Sequence, residues 1–197
     1  RSYEQALYQG KAPEASGTLE VSAVNFEENN EKEPVNYIMP PGISRVQDPG
    51  QTQILQNNEQ ALSLVVKQLA SGDARAVYKN TNLDLRRYKH LQMFTHANSL
   101  IGQNAVEDGQ TSIFIRLGSD YKSNFYEYEI PLKITPAAHY AHNTANARIV
   151  WPQDTMLDID LNILTHAKNN RNKQKALGLA SFAKLYSEYD ASRPANK

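Results

Sequence analysis

TSIFIRLGSDYKSNFYEYEIPL, residues 111–132, decides the fold. Ile113, Ile115 and Leu117 alternate with Phe114 and Arg116, and Tyr126, Tyr128 and Ile130 alternate with Glu127 and Glu129. Period-two alternation with one apolar face marks a half-buried strand. Between the two runs lies GSDYKSN (118–124), of hairpin length and rich in turn-forming Gly, Ser, Asp and Asn. Setting Leu117 opposite Tyr126 places Ile115 opposite Tyr128 and Ile113 opposite Ile130. The same register puts Arg116 opposite Glu127 on the outer face, a cross-strand pairing worth roughly 0.2–1 kcal/mol. Pro131 should close the second strand or lie on an edge.

Working outward, residues 82–98 (NLDLRRYKHLQMFTHAN) supply a third strand, with Leu91, Met93 and Thr95 alternating with Gln92, Phe94 and His96. Residues 74–78 form a short apolar piece, and Ser71-Gly72-Asp73 ends the element before it. Residues 51–69 are ambiguous: Leu55, Leu62, Val66 and Leu69 approach helical spacing, while Leu62, Leu64 and Val66 fit a strand. A short helical turn at 53–58 leading into a strand over 61–69 satisfies both. MPPG at 39–42 excludes regular helix or central strand, and Asp48-Pro-Gly is a turn. The acidic, Asn-rich run 27–34 reads as a solvated loop. Residues 18–26 alternate again, Leu19, Val21 and Ala23 against Glu20, Ser22 and Val24, and read as a strand. Residues 1–17 are polar and read as a linker or extension with a short stray helix around 3–8.

Downstream, residues 137–149 (AAHYAHNTANARI) are small and polar and read as a long loop. Met156 to Asp160 reads as a strand with Leu157 and Ile159 inward. Residues 161–177 read as a helix capped by Asp158 or Asp160. Leu161, Leu164 and Ala167 form its apolar stripe, and Lys168, Arg171, Lys173 and Lys175 sit where cations suit the macrodipole. Residues 179–189 fit a helix or a strand. Many short strands between turn signals indicate a mainly β chain, a β-sandwich of jelly-roll type with one or two short helices, spanning 18–197 as one domain. An open α+β sheet and a barrel are the alternatives.

Composition narrows the function classes. The chain has 197 residues, 21 Lys+Arg and 21 Asp+Glu. That balance gives no electrostatic case for nucleic acid or an anionic membrane surface. Hydrophobic residues make up 40%, mean hydropathy is −0.62, and no apolar run approaches the roughly 18 residues of a spanning helix. Zero cysteines exclude disulfides and thiolate metal sites. Arg1 opens a polar segment, so the chain is expected to begin inside a longer protein.

Few residue patterns carry chemistry. His139 and His142 would share one metal only on a helix, and their segment reads as a loop; His90 and His96 read as polar neighbours of the core. Asp154, Asp158 and Asp160 offer oxygen ligands for Ca²⁺ but lack the Gly and distal Glu of an EF-hand loop. Glu127 and Glu129 share a strand face as a glycosidase pair could, yet outer-face alternation accounts for them. Ser119-Asp120 has no matching base, and Gly118 stands in no phosphate-cradling pattern. We therefore expect no catalytic residue, metal or cofactor. Among the aromatics Tyr121, Phe125, Tyr126, Tyr128, Tyr140 and Trp151, alternation turns Tyr126 and Tyr128 inward. Tyr121, Tyr140 and Trp151 are left as candidates to bind a glycan or a partner.

Several phrases exceed generic strand pattern: VNFEENNE (24–31), YIMPPGISR (37–45), NEQALSL (58–64) with GDARAVYKNTNLDLR (72–86), FIRLGSDYKSNFYEYEIPL (114–132) and WPQDTMLDIDL (151–161). Together, and in this order over most of 18–190, they resemble the SprA/Sov family of Bacteroidetes, associated with gliding motility and type IX secretion. The resemblance implies a soluble segment of a very large outer-membrane β-barrel translocon, on its periplasmic or cell-surface side. Residues here lack the repeated, aromatic-girdled strands of a membrane barrel, so the segment is expected to fold beside, within or over it without itself spanning the membrane. The family's pattern continues past Lys197, which implies a sandwich lacking its last strands and an exposed sheet edge. The family brings no catalytic residues. It implies as partners other parts of the translocon chain, secretion-system proteins or secreted cargo. The expected function is a non-catalytic, galactose-binding-like domain with a structural or protein-contacting role; the alternative is a carbohydrate-binding module for surface glycans.

Overall fold

A computed structural model describes residues 2–3, 17–44, 59–81, 83–120, 123–179 and 185–193. They are mainly β, with a few short helices and four two-stranded antiparallel sheets among them. The chain divides into two compact units, and it passes between them three times: unit 1 draws on Arg1–Lys32 and Ile43–Asp84, unit 2 on Glu33–Gly42 and Leu85–Lys197.

In unit 1, β1 (Ser2–Tyr3) pairs with β4 (Ala76–Val77), and β2 (Thr18–Asn25) pairs along its whole length with β3 (Gln60–Lys67). The strands expected at 18–26 and 61–69 are thus present within two residues. Their apolar sides meet as Leu19–Val66, Val21–Leu64 and Ala23–Leu62. This stripe is the exposed one, with Leu62 60% and Val21 and Leu64 each 40% accessible. On the opposite face Val24, Ala61, Ser63 and Val65 are half-buried, while Glu20, Ser22 and Lys67 are exposed. Alternation therefore located the strands but not which face is covered. The acidic run expected to be loop begins as α1 (Phe26–Asn29). Asn25 accepts from the Glu28 N–H at 2.8 Å and donates its side-chain amide to Glu28 Oε2 at 3.1 Å. This reciprocal cap satisfies two groups at the helix start, which is why an Asn-Glu-rich stretch turns helical here.

In unit 2, β6 (Ser112–Gly118) and β7 (Phe125–Pro131) form the hairpin in the register read from sequence: Leu117–Tyr126, Arg116–Glu127, Ile115–Tyr128 and Ile113–Ile130. Gly118 closes it because a Cβ there would stand 2.1 Å from the Asn124 carbonyl oxygen. Asp120 Oδ1 accepts from the Ser123 and Asn124 N–H groups at 2.6 and 3.1 Å, tightening the loop as Asx turns do. β5 (His90–Met93) pairs with β8 (Leu157–Asp160). The residues that follow, Phe94 to His96, run on beyond this ladder. The two sheets share no ladder, yet their inward side chains make one cluster: Tyr128, Ile130, Leu157 and Ile159, flanked by Leu91, Ile113 and Ile115. Complete burial of one such aliphatic side chain is worth roughly 1.5–3 kcal/mol. Tyr128 is 3% exposed, but burial stops short of the loop end of the hairpin. Tyr126, expected inward, is 36% exposed.

α3 (Leu161–Ala176) starts where Asp160 Oδ1 accepts from the Asn162 N–H at 2.9 Å, the expected cap. None of its residues is buried. The loop expected at 137–149 is corrected in its second half, which is α2 (Thr144–Val150). Asn143 caps it by accepting from the Asn146 N–H at 2.9 Å, and the helix buries Ala147 and Val150. Residues 185–189 carry no regular structure. Beyond them, Asp190 accepts from the Tyr128 phenol at 2.6 Å, and Arg193 donates to the Met156 and Gln153 carbonyls at 2.7 and 3.1 Å. The short helix expected around 3–8 is corrected at Tyr3, which lies in β1; its remainder, the turn expected at 53–58 and the middle of 179–189 lie outside the described residues.

Candidate functional site

Trp151, at the C-terminal end of α2, is the centre of a set of specific contacts in unit 2. Its ring meets Tyr37 edge-on at 5.9 Å and 82°, Phe94 at 6.3 Å and 71°, and His96 at 5.8 Å and 60°. Edge-to-face contacts of this kind contribute roughly 0.5–1.5 kcal/mol beyond area burial. Its indole N–H donates to the Ile38 carbonyl at 2.9 Å. Capping, not propensity, delivers it here: Asn143 starts α2, and Pro152 follows Trp151 and cannot continue the helix.

Segment 33–42 supplies the other wall. Val35 forms a parallel bridge with Ala138, and the Ala138 N–H donates to the Pro34 carbonyl at 3.0 Å. Asn36 is 1% exposed, and its amide pairs with the Tyr140 backbone in both directions. It accepts from the Tyr140 N–H at 2.7 Å and donates to the Tyr140 carbonyl at 3.0 Å. The Tyr140 phenol donates to the Pro136 carbonyl at 2.9 Å.

His96 stands behind the tryptophan. Nδ1 lies 2.8 Å from the Val150 carbonyl and 3.3 Å from the Thr135 hydroxyl, and Nε2 lies 3.0 Å from Asn98 Oδ1. The Asn98 amide donates to the Ser99 carbonyl at 3.0 Å. Burial pushes the His96 pKa below its ordinary value, against the Val150 carbonyl and Asn98, which raise it. The imidazole ties α2 to the chain after β5.

The sequence candidates fall as follows. Trp151 and Tyr140 come together here, and both are buried, at 8% and 9% exposure. A sugar stacking on either ring would first have to displace segment 33–42 or α2. Tyr121 lies outside the described residues. His139 and His142 are exposed. Glu127 accepts from Arg116 Nε at 2.8 Å, and Glu129 accepts from the Ser112 hydroxyl. Asp154 pairs with Lys133, Asp158 accepts from Gln92 at 3.0 Å, and Asp160 caps α3. Among the described residues, no group of three or more His, Asp or Glu is placed to hold a metal. Sequence reasoning missed Asn36 and the seating of 33–42. The alternation of Val35 and Tyr37 with Asn36 and Ile38 was the available signal, and MPPG directly after it drew attention to irregularity instead.

The arrangement gives no activated nucleophile and no acid–base pair among these contacts; what it does chemically is hold an extended segment. No helix among the described residues is long and apolar enough to cross a membrane. The family model described as motility related/secretion protein, SprA_N, matches residues 1–197. No curated protein matches the chain.

Proposed function

The chain belongs to the SprA_N family of motility related/secretion proteins, and from that premise we propose that it is a non-catalytic, protein-contacting domain of a large outer-membrane secretion translocon serving type IX secretion and gliding. Family membership ties the chain to motility and secretion. Its partners are other parts of the translocon chain, secretion-system proteins or secreted cargo. The supporting fold is a jelly-roll sandwich of galactose-binding type, for which the common cluster of the β5–β8 and β6–β7 sheets is the seed.

One observation carries the non-catalytic part. The carboxylates and histidine with the best claim to chemistry, Glu127, Glu129, Asp158, Asp160 and His96, are engaged in register, capping or core contacts. Groups so committed stabilise a scaffold and are poorly placed to shuttle protons.

The test uses the whole protein in a secreting, gliding host. Glu129→Gln, which keeps an acceptor for Ser112, is expected to leave cargo secretion and gliding unchanged. Ile130→Asp, which puts a carboxylate into the apolar cluster, is expected to abolish both and to leave cargo inside the envelope. Loss of secretion in a folded Glu129→Gln protein would overturn the non-catalytic reading. Saturable sugar binding that disappears with Trp151→Ala would replace it with glycan recognition. Normal secretion with Ile130→Asp would remove this domain from the secretion path.

A further inference from the structure

Residues 33–42 belong to unit 2, while the residues on both sides of them in sequence belong to unit 1. Four consecutive residues of this strap are buried: Val35 is 8%, Asn36 1%, Tyr37 8% and Ile38 1% exposed. It is nevertheless held differently from a strand. Among the described residues it joins no sheet and makes one isolated bridge, Val35 to Ala138. Its grip alternates along the chain. The Pro34 carbonyl accepts from the Ala138 N–H, the Asn36 amide pairs twice with the Tyr140 backbone, and the Ile38 carbonyl accepts from the Trp151 indole. Between these polar contacts Tyr37 meets the edge of Trp151.

That is the arrangement by which grooves read extended peptides. Main-chain hydrogen bonds give affinity, and pockets for alternate side chains give selectivity. The selective element here is an amide. Only Asn or Gln carries an acceptor and a donor side by side to match a backbone N–H and C=O, and Asn has the shorter reach. We propose that residues 138–140 and Trp151 form a linear-peptide groove which the chain fills with its own strap. The external occupant is an extended peptide of another protein that presents aliphatic, Asn, aromatic, aliphatic in that order. Entry is by exchange: an empty groove would leave the Trp151 ring and the seats of Val35, Tyr37 and Ile38 facing water, so one such segment gives way to another. The inference rests on the groove alone and is independent of the secretion reading, so either can fail without the other.

A fluorescent peptide with the sequence of residues 33–42 tests it on the whole chain. Weakening the strap in cis with Asn36→Ala leaves the groove residues intact and frees them for the peptide. The Asn36→Ala chain is expected to bind the peptide at least about tenfold more tightly than the wild-type chain, because less of the groove is self-occupied. The peptide carrying its own Asn36→Ala change is expected to bind neither chain. Equal binding of the two peptides, or binding of neither to a folded Asn36→Ala chain, overturns the proposal. Should that variant fail to fold, amide exchange of the wild-type chain decides. The Ala138 and Tyr140 amides should exchange through an opening smaller than global unfolding, slowed by excess peptide. Exchange only with global unfolding overturns it. Wild-type dimers that dissolve on adding peptide would assign the groove to the strap of a second copy, and overturn it as well.

Discussion

The Tyr128 phenol donates to Asp190 Oδ2 at 2.6 Å, a buried bond that ties the core hairpin to a segment 62 residues later. The other oxygen of that carboxylate accepts from the Ser192 N–H at 2.8 Å and the Ser192 hydroxyl at 2.7 Å. Burial pushes the Asp190 pKa up, but the hydrogen bonds from Ser192, Tyr128 and the Arg193 backbone together outweigh it and leave the pKa below its ordinary 3.8. A carboxylate depressed in the folded state stabilises the fold above its unfolded pKa. That stabilisation is full above the ordinary carboxylate range and is lost as the pH falls below 3.8 toward the depressed value. Tyr128→Phe is expected to cost about 1.5–3 kcal/mol at neutral pH. It should also blunt the acid sensitivity below that point. Urea midpoints measured from neutral pH to about pH 3 check both parts; an unchanged acid limb would remove the Tyr128 contact from the explanation.

His96 gives a separate pH dependence. Burial lowers its pKa in the fold, so the unfolded chain takes up the proton first as acid is added. Stability from this site is full above the ordinary 6.5 and falls as the pH drops below it toward the depressed value. His96→Gln should flatten the slope in that window and leave the carboxylate limb below pH 4 in place. Chemical denaturation between about pH 7.5 and pH 5 reads the difference.

Trp151 is the only tryptophan, so its fluorescence reports on the seat of the strap directly. Trp151→Phe keeps most of the ring contacts but leaves the Ile38 carbonyl without its donor, and is expected to cost about 1–3 kcal/mol. Trp151→Ala should cost about 3–5 kcal/mol. In the wild-type chain a blue-shifted emission should move red in step with unfolding followed by circular dichroism. A red-shifted emission in the native state would place the indole in water.

The exposed stripe of β2 and β3 sets a prediction of opposite kind. Leu62→Ser and Leu64→Thr remove apolar surface already in contact with water, and should change stability by no more than about 0.5 kcal/mol. Exposed apolar strand faces favour association. Light scattering at high concentration is expected to fall in the double variant, and a large loss of stability would mean the stripe is covered in solution.

What was legible in the sequence follows the reach of local rules. The β6–β7 register could be read because Ile113, Ile115, Tyr128 and Ile130 fix the parity of both strands and a short loop fixes their offset. Leu157 and Ile159 were readable for the same reason, and Asp160 because an Asp before an apolar run is a cap. The partner of β2 was not legible. Strand pairing carries no sequence-distance signal, and Gln60–Lys67 lies beyond α1 and the whole strap. α2 was missed because its length and the polar residues around it made 137–149 read as a loop, although Ala145, Ala147 and Arg148 suit a helix once Asn143 caps it and Val150 is buried. Trp151 and Tyr140 could be singled out as important residues. Their partners, the Ile38 carbonyl and the Asn36 amide, sit 113 and 104 residues away, and no local pattern links such pairs.

Those separations are also a schedule. The strap is synthesised 104 to 113 residues before the tyrosine and tryptophan that receive it. At a translation speed of roughly 5–20 residues per second, the interval is on the order of 5 to 20 s. For that time Val35, Tyr37 and Ile38 have no seat, although all three are buried in the finished protein. A nascent chain in that condition is a client for any factor that binds short apolar segments, and its yield in a cell should depend on how fast residues 138–151 follow.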